Sequence, residues 1–412
     1  MSRNERAGAV RHIRDSAAAR DVVALVTELR DHLGDAVLAA RALKSLGELG
    51  VSDGTLAEVT RGAGGIDTAV AALRTHGANA DVALFALRLL AVILIRAEDS
   101  AFEASAADVA TETVAALRRH SDNAAVLIAG CMTLAELCAE SRIGLKFWSA
   151  ADVCGAAQDA IRFLSAALRA HIGTVDIEVQ AVIALGELFC VVAAGTADIG
   201  VQLGCVELII AAMRTHRGRT EKYERLQTAG CRALAMICWG AGASRQLDAC
   251  RSIEAVFESM RRYPDCASVH AAGCHALFMY RFAGGRRIDA DYDGLGTEAL
   301  QAALAALRRH SKDADVLCCV FNLLTYDLGP NENEPHPNNW MLPLLGTPEN
   351  LALLQRSAKQ FDGRPGGGAA RFVAHMTHGA CAGCDKLQET KMRLCNRCRH
   401  ARYCSVECQR KH

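Results

Sequence analysis

The chain has 412 residues, with 46 basic and 46 acidic side chains, so bulk charge implies neither nucleic acid nor an anionic membrane as partner. Hydrophobic residues make up 51% but aromatics only 5%, a balance that favours close-packed helices over sheets. The opening residues Met1 to Arg6 contain no apolar signal core, and Glu5 and Asp15 oppose a mitochondrial presequence despite five arginines by residue 20. The apolar run from Val82 to Ile95 is broken by Arg88 and too short to span a bilayer.

One phrase recurs along the chain: leucine or methionine, arginine, any residue, histidine. It occurs as Leu29-Arg30-Asp31-His32, Leu73-Arg74-Thr75-His76, Leu117-Arg118-Arg119-His120 and Leu168-Arg169-Ala170-His171. It returns as Met213-Arg214-Thr215-His216, Met260-Arg261-Arg262-Tyr263 and Leu307-Arg308-Arg309-His310. The intervals are 44, 44, 51, 45, 47 and 47 residues, a period that marks a stacked helical array. Each phrase ends an apolar helix, a short polar turn such as Ser121-Asp122-Asn123 follows, and a second helix begins. In that helix the position ten residues past the turn histidine is small: Ala42, Ala86, Gly130, Ala181 and Gly273. Gly230 takes the place in the fifth unit, and Val320 departs in the seventh. A small side chain there predicts close approach of neighbouring helices. Cys131, Cys231 and Cys274 follow those glycines and read as buried apolar residues. The turn histidines lie one repeat apart, beyond metal-ligand reach of each other, and read as polar caps of helix C-termini.

The period and helix order resemble armadillo repeats over residues 20 to 327, with HEAT repeats the close alternative. The fold class expected is all-α, a right-handed solenoid of about seven repeats followed by a small zinc-binding module. Segments such as Val51 to Arg61 and Ser244 to Arg251 supply the short first helix of a repeat. Such solenoids bind partners along a surface lined by the last helix of each repeat. The armadillo import receptors hold peptides with an asparagine ladder. Here the corresponding positions are Glu48, Val92, Glu136, Glu187, Met236, Met279 and Tyr326, so the resemblance does not extend to import. The three glutamates suit basic segments or a solvated face. The fifth repeat carries a charged insertion, Arg217 to Lys222, which reads as a surface loop.

After Asp327 the composition changes. Six of the seven prolines lie between Pro330 and Pro365, so residues 328–370 read as a Pro/Gly-rich linker. Thr347-Pro348-Glu349 opens a short helix through Phe361, and Gly366-Gly367-Gly368 makes a flexible joint.

The final stretch carries the strongest motif. Cys381/Cys384, Cys395/Cys398 and Cys404/Cys408 are three spaced pairs, holding six of eighteen cysteines in 28 positions. A closely spaced pair turns both thiolates toward one ion, and two pairs complete the tetrahedral shell that zinc prefers. This spacing, with Arg402-Tyr403 before the fifth cysteine and Gln409 after the sixth, resembles the MYND-type zinc finger over residues 381 to 412. RING spacing fits less well, and the HIT-type finger is the nearer rival. The family adds a histidine and a final cysteine beyond the third pair. The chain stops at His412, so the finger reads as incomplete at its C-terminus. The resemblance implies crossed ligation, in which Cys381, Cys384, Cys404 and Cys408 share one firmly bound zinc and Cys395 and Cys398 belong to a second site lacking two ligands. Sequential pairing of Cys395 and Cys398 with Cys381 and Cys384 is the competing assignment and also yields one zinc. It also implies that the finger docks proline-containing segments of partner proteins, with Tyr403 and Gln409 in contact.

No catalytic signature occurs: there is no Gly-x-Ser-x-Gly, no His-Glu-x-x-His and no phosphate-binding Gly-x-x-x-x-Gly-Lys. A methyltransferase reading requires SET strands around the finger, where helical repeats stand instead. The expectation is a non-enzymatic, zinc-binding interaction scaffold in a reducing compartment, cytoplasmic or nuclear. Nucleic-acid association is the alternative, since nine basic residues face three acidic ones from residue 371 onward.

Overall fold

The computed structural model describes residues 3–95, 103–140, 151–190, 195–216, 218–238, 240, 251–283, 295–325, 345–361, 393–394 and 402–403. The helices begin with α1 (Arg3–Ala18), α2 (Val22–Asp31), α3 (Ala36–Ser52), α4 (Gly54–Gly62), α5 (Gly65–His76) and α6 (Ala80–Leu94). They continue with α7 (Glu103–Arg119), α8 (Ala124–Glu140), α9 (Ala151–Ala170), α10 (Val175–Phe189), α11 (Thr196–Gln202) and α12 (Cys205–Thr215). The last are α13 (Glu221–Ile237), α14 (Ser252–Arg262), α15 (Ala267–Ala283), α16 (Leu295–Arg309), α17 (Ala314–Thr325) and α18 (Pro348–Phe361). A two-residue strand pair, β1 (Arg393–Leu394) and β2 (Arg402–Tyr403), follows. Among the described residues no single helix is long and apolar enough to cross a membrane.

The chain divides into two compact units, with the described residues up to Gly218, together with Gly240, in the first and the rest in the second. In the first unit α3, α6, α8 and α10 pack side by side in sequence order; in the second, α13, α15 and α17 do the same. The short helix expected near Val51 to Arg61 is α4. Residues 244–250 lie outside the described residues.

The recurring phrase ends seven of these helices, and each of its residues has its own contact. The leucine or methionine enters the core: Leu29, Leu73, Leu117 and Leu307 are fully buried, and Leu168, Met213 and Met260 nearly so. Burying a side chain of this size contributes about 2 kcal/mol. The small position packs against it. A Cβ built on Gly130 would stand 2.5 Å from Leu117 Cδ2, and one on Gly273 would stand 2.6 Å from Met260 Sδ. Glycine here lets the two helices of a hairpin meet, as the sequence suggests. The cysteines that follow these glycines are buried, and burial pushes the Cys131 and Cys231 thiols up to about 12.

The turns share one geometry. The amide three residues past the phrase histidine bonds back to the histidine carbonyl in Asp35→His32, Asn79→His76, Asn123→His120 and Asp313→His310, at 2.8 to 2.9 Å. The same Asp or Asn side chain then caps the next helix, as Asn79 Oδ1 does for the amides of Asp81 and Val82. This leaves the carbonyl of the second turn residue without a partner inside the turn. The histidine one phrase later supplies it. His76 Nε2 donates to Leu33 O at 2.6 Å, His120 to Gly77 O at 2.7 Å, His171 to Ser121 O at 3.0 Å and His310 to Pro264 O at 2.9 Å. A carbonyl only accepts, so Nε2 carries the proton in each case. The histidines are therefore staples between consecutive turns, not merely caps of their own helices. The fifth departs: His216 pairs with the buried carboxylate of Glu178, next to the charged insertion.

The phrase arginine reaches the other way along the chain. Arg74 meets Asp108 at 2.7 Å and Glu112 at 2.9 Å, Arg118 meets Asp159 at 3.2 Å, and Arg261 meets Glu298. Arg30 and Arg169 instead donate to the carbonyls of Ala63 and Leu203. Each of those carbonyls precedes a glycine, Gly64 or Gly204, whose φ of +84° or +70° turns the chain into the next helix. Arg308, the last of the series, bonds Asn350 at 2.6 Å on α18, which packs on α16 and α17. Pro348 occupies the first position of α18, where its missing N–H costs nothing. Asn350, Leu354, Ser357 and Ala358 are buried, so this helix is docked rather than extended.

In the second unit His270 is only 4% exposed, its ring lies 4.9 Å from that of His310, and its nitrogens lack hydrogen-bond partners among the described residues. Burial drives its pKa down to about 4, with His310 and Arg309 adding to the shift. The Tyr263 carbonyl and Asp265 oppose it, the carbonyl without reaching hydrogen-bond geometry.

Two outcomes follow. Replacing His120 by alanine strands the Gly77 carbonyl and should cost about 1–2 kcal/mol in chemical denaturation. His32→Ala, whose imidazole meets Glu28 of its own helix rather than a turn carbonyl among the described residues, should cost less. His270 binds its proton more readily unfolded, near pH 6.5, than folded. Stability should therefore be unaffected above that pH and fall as pH drops from 6.5 toward 4; in His270→Leu this part of the slope should vanish from melting curves.

Candidate functional site

Beyond Asp81 in its first turn, helix α6 is apolar on every side except at Arg88. Its buried positions pack against α3, α5 and α8, which leaves Leu84, Phe85, Arg88, Val92 and the capping Ile95 on a single outward face. That face and its neighbours on α3 and α8 line an open groove of about 580 Å³. Gly50 sets the base of one wall: a Cβ there would stand 2.8 Å from Val92 Cγ1, so α3 and α6 come close. The rim stays apolar and uncovered, with Val51 73% and Ile95 51% exposed.

The groove's charges are few. Lys44 Nζ lies 3.9 Å from Glu48 Oε1 and 5.9 Å from the Phe85 ring centroid. Arg88 is exposed and forms no ion pair or hydrogen bond among the described residues, so the local balance is one net positive charge. The sequence marked this arginine only as an interruption of an apolar run. The faint signal was that α6 carries a lone cation in the middle of its outward face.

The ladder positions fare differently from one another. Glu48 and Val92 line the groove, but Lys44 offsets the Glu48 charge. Glu136, on α8, is half-buried; burial raises its carboxyl pKa, and the neighbouring carboxylate of Glu187 adds to the rise. Met236 is half-buried and Met279 is buried. Tyr326 lies outside the described residues, and the glutamates do not form a uniformly solvated face.

Of the candidate finger, β1 and β2 are described. They pair antiparallel with Arg393 opposite Tyr403 and Leu394 opposite Arg402. The chain therefore enters Arg393 and leaves Tyr403 at one end of the ladder, while Leu394 and Arg402 mark the other. Tyr403 stands on β2. Cys381, Cys384, Cys395, Cys398, Cys404, Cys408, Gln409 and His412 lie outside the described residues. Among the described residues no group of three or more His, Cys, Asp or Glu side chains is arranged to hold a metal.

Residues 381–412 match the family model of the MYND finger. A search of the curated proteins finds no match. The C-terminal segment is thus a MYND-type finger, and MYND fingers bind zinc and mediate protein–protein interaction.

Because the Glu136 pKa is raised on folding, its charge opposes the fold above the ordinary carboxylate range and not below it. Glu136→Gln should raise the melting temperature at pH 7 and leave it unchanged at pH 4.

Proposed function

We propose that this chain is a zinc-dependent protein-interaction scaffold, with an armadillo-like solenoid of about seven repeats carrying a peptide-docking MYND finger. The recurring contacts support the repeat reading: leucine inward, histidine back to one turn, arginine forward to the next element. The family match at residues 381–412 carries the functional reading. Proline-containing segments are the ligands in this proposal, with Tyr403 and Gln409 touching them. The protein works without catalysis, in the cytoplasm or nucleus.

The crossed ligation of the MYND family is part of this proposal: Cys381, Cys384, Cys404 and Cys408 hold one zinc firmly, and Cys395 and Cys398 belong to a second site. A four-thiolate zinc has no open coordination position, so it holds structure.

Two measurements test these readings on the 412-residue chain. A complete thiolate site contributes about 10 kcal/mol or more of apparent binding free energy. Cys404→Ala should therefore abolish chelator-resistant zinc, and Cys395→Ala should largely spare it; the reverse result rejects the crossed ligation. On an array of proline-containing peptides, the intact chain should bind a subset that Cys404→Ala loses. If it binds none but retains nucleic acid with steep salt dependence, the nucleic-acid reading replaces this one.

A further inference from the structure

The groove on α3, α6 and α8 has a composition that selects its occupant. Its walls are apolar and come from three helices packed side by side: Val51 from α3, Phe85, Val92 and Ile95 from α6 and its cap, Met132 from α8. Uncovered apolar surface of this kind marks an interaction site, and methionine adapts to varied side chains. The volume of about 580 Å³ suits two or three inserted side chains of a peptide or helix. Gly47 keeps the floor open, since a Cβ there would meet nothing nearer than Leu89 N at 4.0 Å.

Charge then decides the class of partner. Lys44 and Glu48 offset each other across 3.9 Å. Arg88 stands on the middle helix, midway along its groove face, with no partner among the described residues. A wholly apolar partner would bury this guanidinium without compensation, which is costly, and a basic one would meet repulsion. A carboxylate satisfies it with paired, charge-assisted hydrogen bonds, which guanidinium geometry favours.

We propose that this groove docks a partner-protein segment in which apolar side chains flank a single carboxylate that pairs with Arg88. The inference deepens the scaffold reading and rests on it for the premise that the helical body binds protein. It assigns the first unit an acidic–apolar ligand, unlike the basic segments that were one reading of the ladder glutamates.

The test selects a displayed library of random peptides, about 16 residues long, on the intact chain. The most enriched peptide is then titrated by fluorescence anisotropy. Enriched peptides should carry Asp or Glu between apolar residues. Arg88→Glu should weaken the titrated peptide about tenfold or more, and exchanging the peptide's acid for lysine should restore binding to that variant. Gly47→Met replaces a helix-interior glycine with a better helix former, so it should keep the fold and weaken binding by filling the floor. Cys404→Ala should leave this binding intact. Failure to enrich acidic–apolar peptides, or indifference to both groove variants, overturns the proposal. Peptides lost with Cys404→Ala but kept by Arg88→Glu would overturn the groove while leaving the finger reading standing. Binding that depends on Arg88 with no finger-dependent ligand would do the opposite.

Discussion

A hydrogen bond between a histidine and a backbone carbonyl one turn away along the series is the contact on which the helical body's regularity depends. Each helix hairpin closes through a turn that uses its own amides, leaving the second residue's carbonyl unsatisfied. A partly buried carbonyl needs a donor, and the next phrase histidine brings one. The bond spans 43, 43, 50 and 46 residues in its four instances. Its length in sequence varies because only the two turns must meet, so an intervening loop can lengthen without disturbing it.

In six of the seven phrases the arginine completes the connection in the forward direction. These contacts are mostly exposed, and each contributes at most about 1 kcal/mol, so they tune register more than they hold the fold. Where the acceptor is the carbonyl before a left-handed glycine, the arginine also secures the bend into the next helix. At the end of the series the same chemistry recruits α18, whose Asn350 is buried and bonded to Arg308. The fifth phrase breaks the pattern: His216 finds the Glu178 carboxylate, which also accepts the Gly173 amide at 3.2 Å.

Local charge, rather than total charge, bears on partners. A chain with equal numbers of acids and bases still presents a groove with one unbalanced guanidinium amid apolar walls. A lysine one turn away neutralises the glutamate at the first ladder position. The glutamate at the third is half out of water, where a cation would have to compensate its burial. These differences arise from neighbours on adjacent helices and are invisible to a count of residues.

Periodic and local signals carried much of the fold and the finger. The phrase, its small partner position, the buried cysteines and the three cysteine pairs were readable because spacing alone expresses them. What the histidines touch was not readable, because a backbone carbonyl has no residue identity and any turn presents one. The role of Arg88 was hidden for a related reason. An arginine inside an apolar run looks like an interruption until packing shows which face of the helix remains outside. The sequence by itself therefore determined which residues repeat, which are small and which could hold zinc. Only the tertiary structure decided which carbonyl meets which imidazole, that α18 docks on the last hairpin, and which charges remain unpaired, because those depend on distances between segments far apart in the chain.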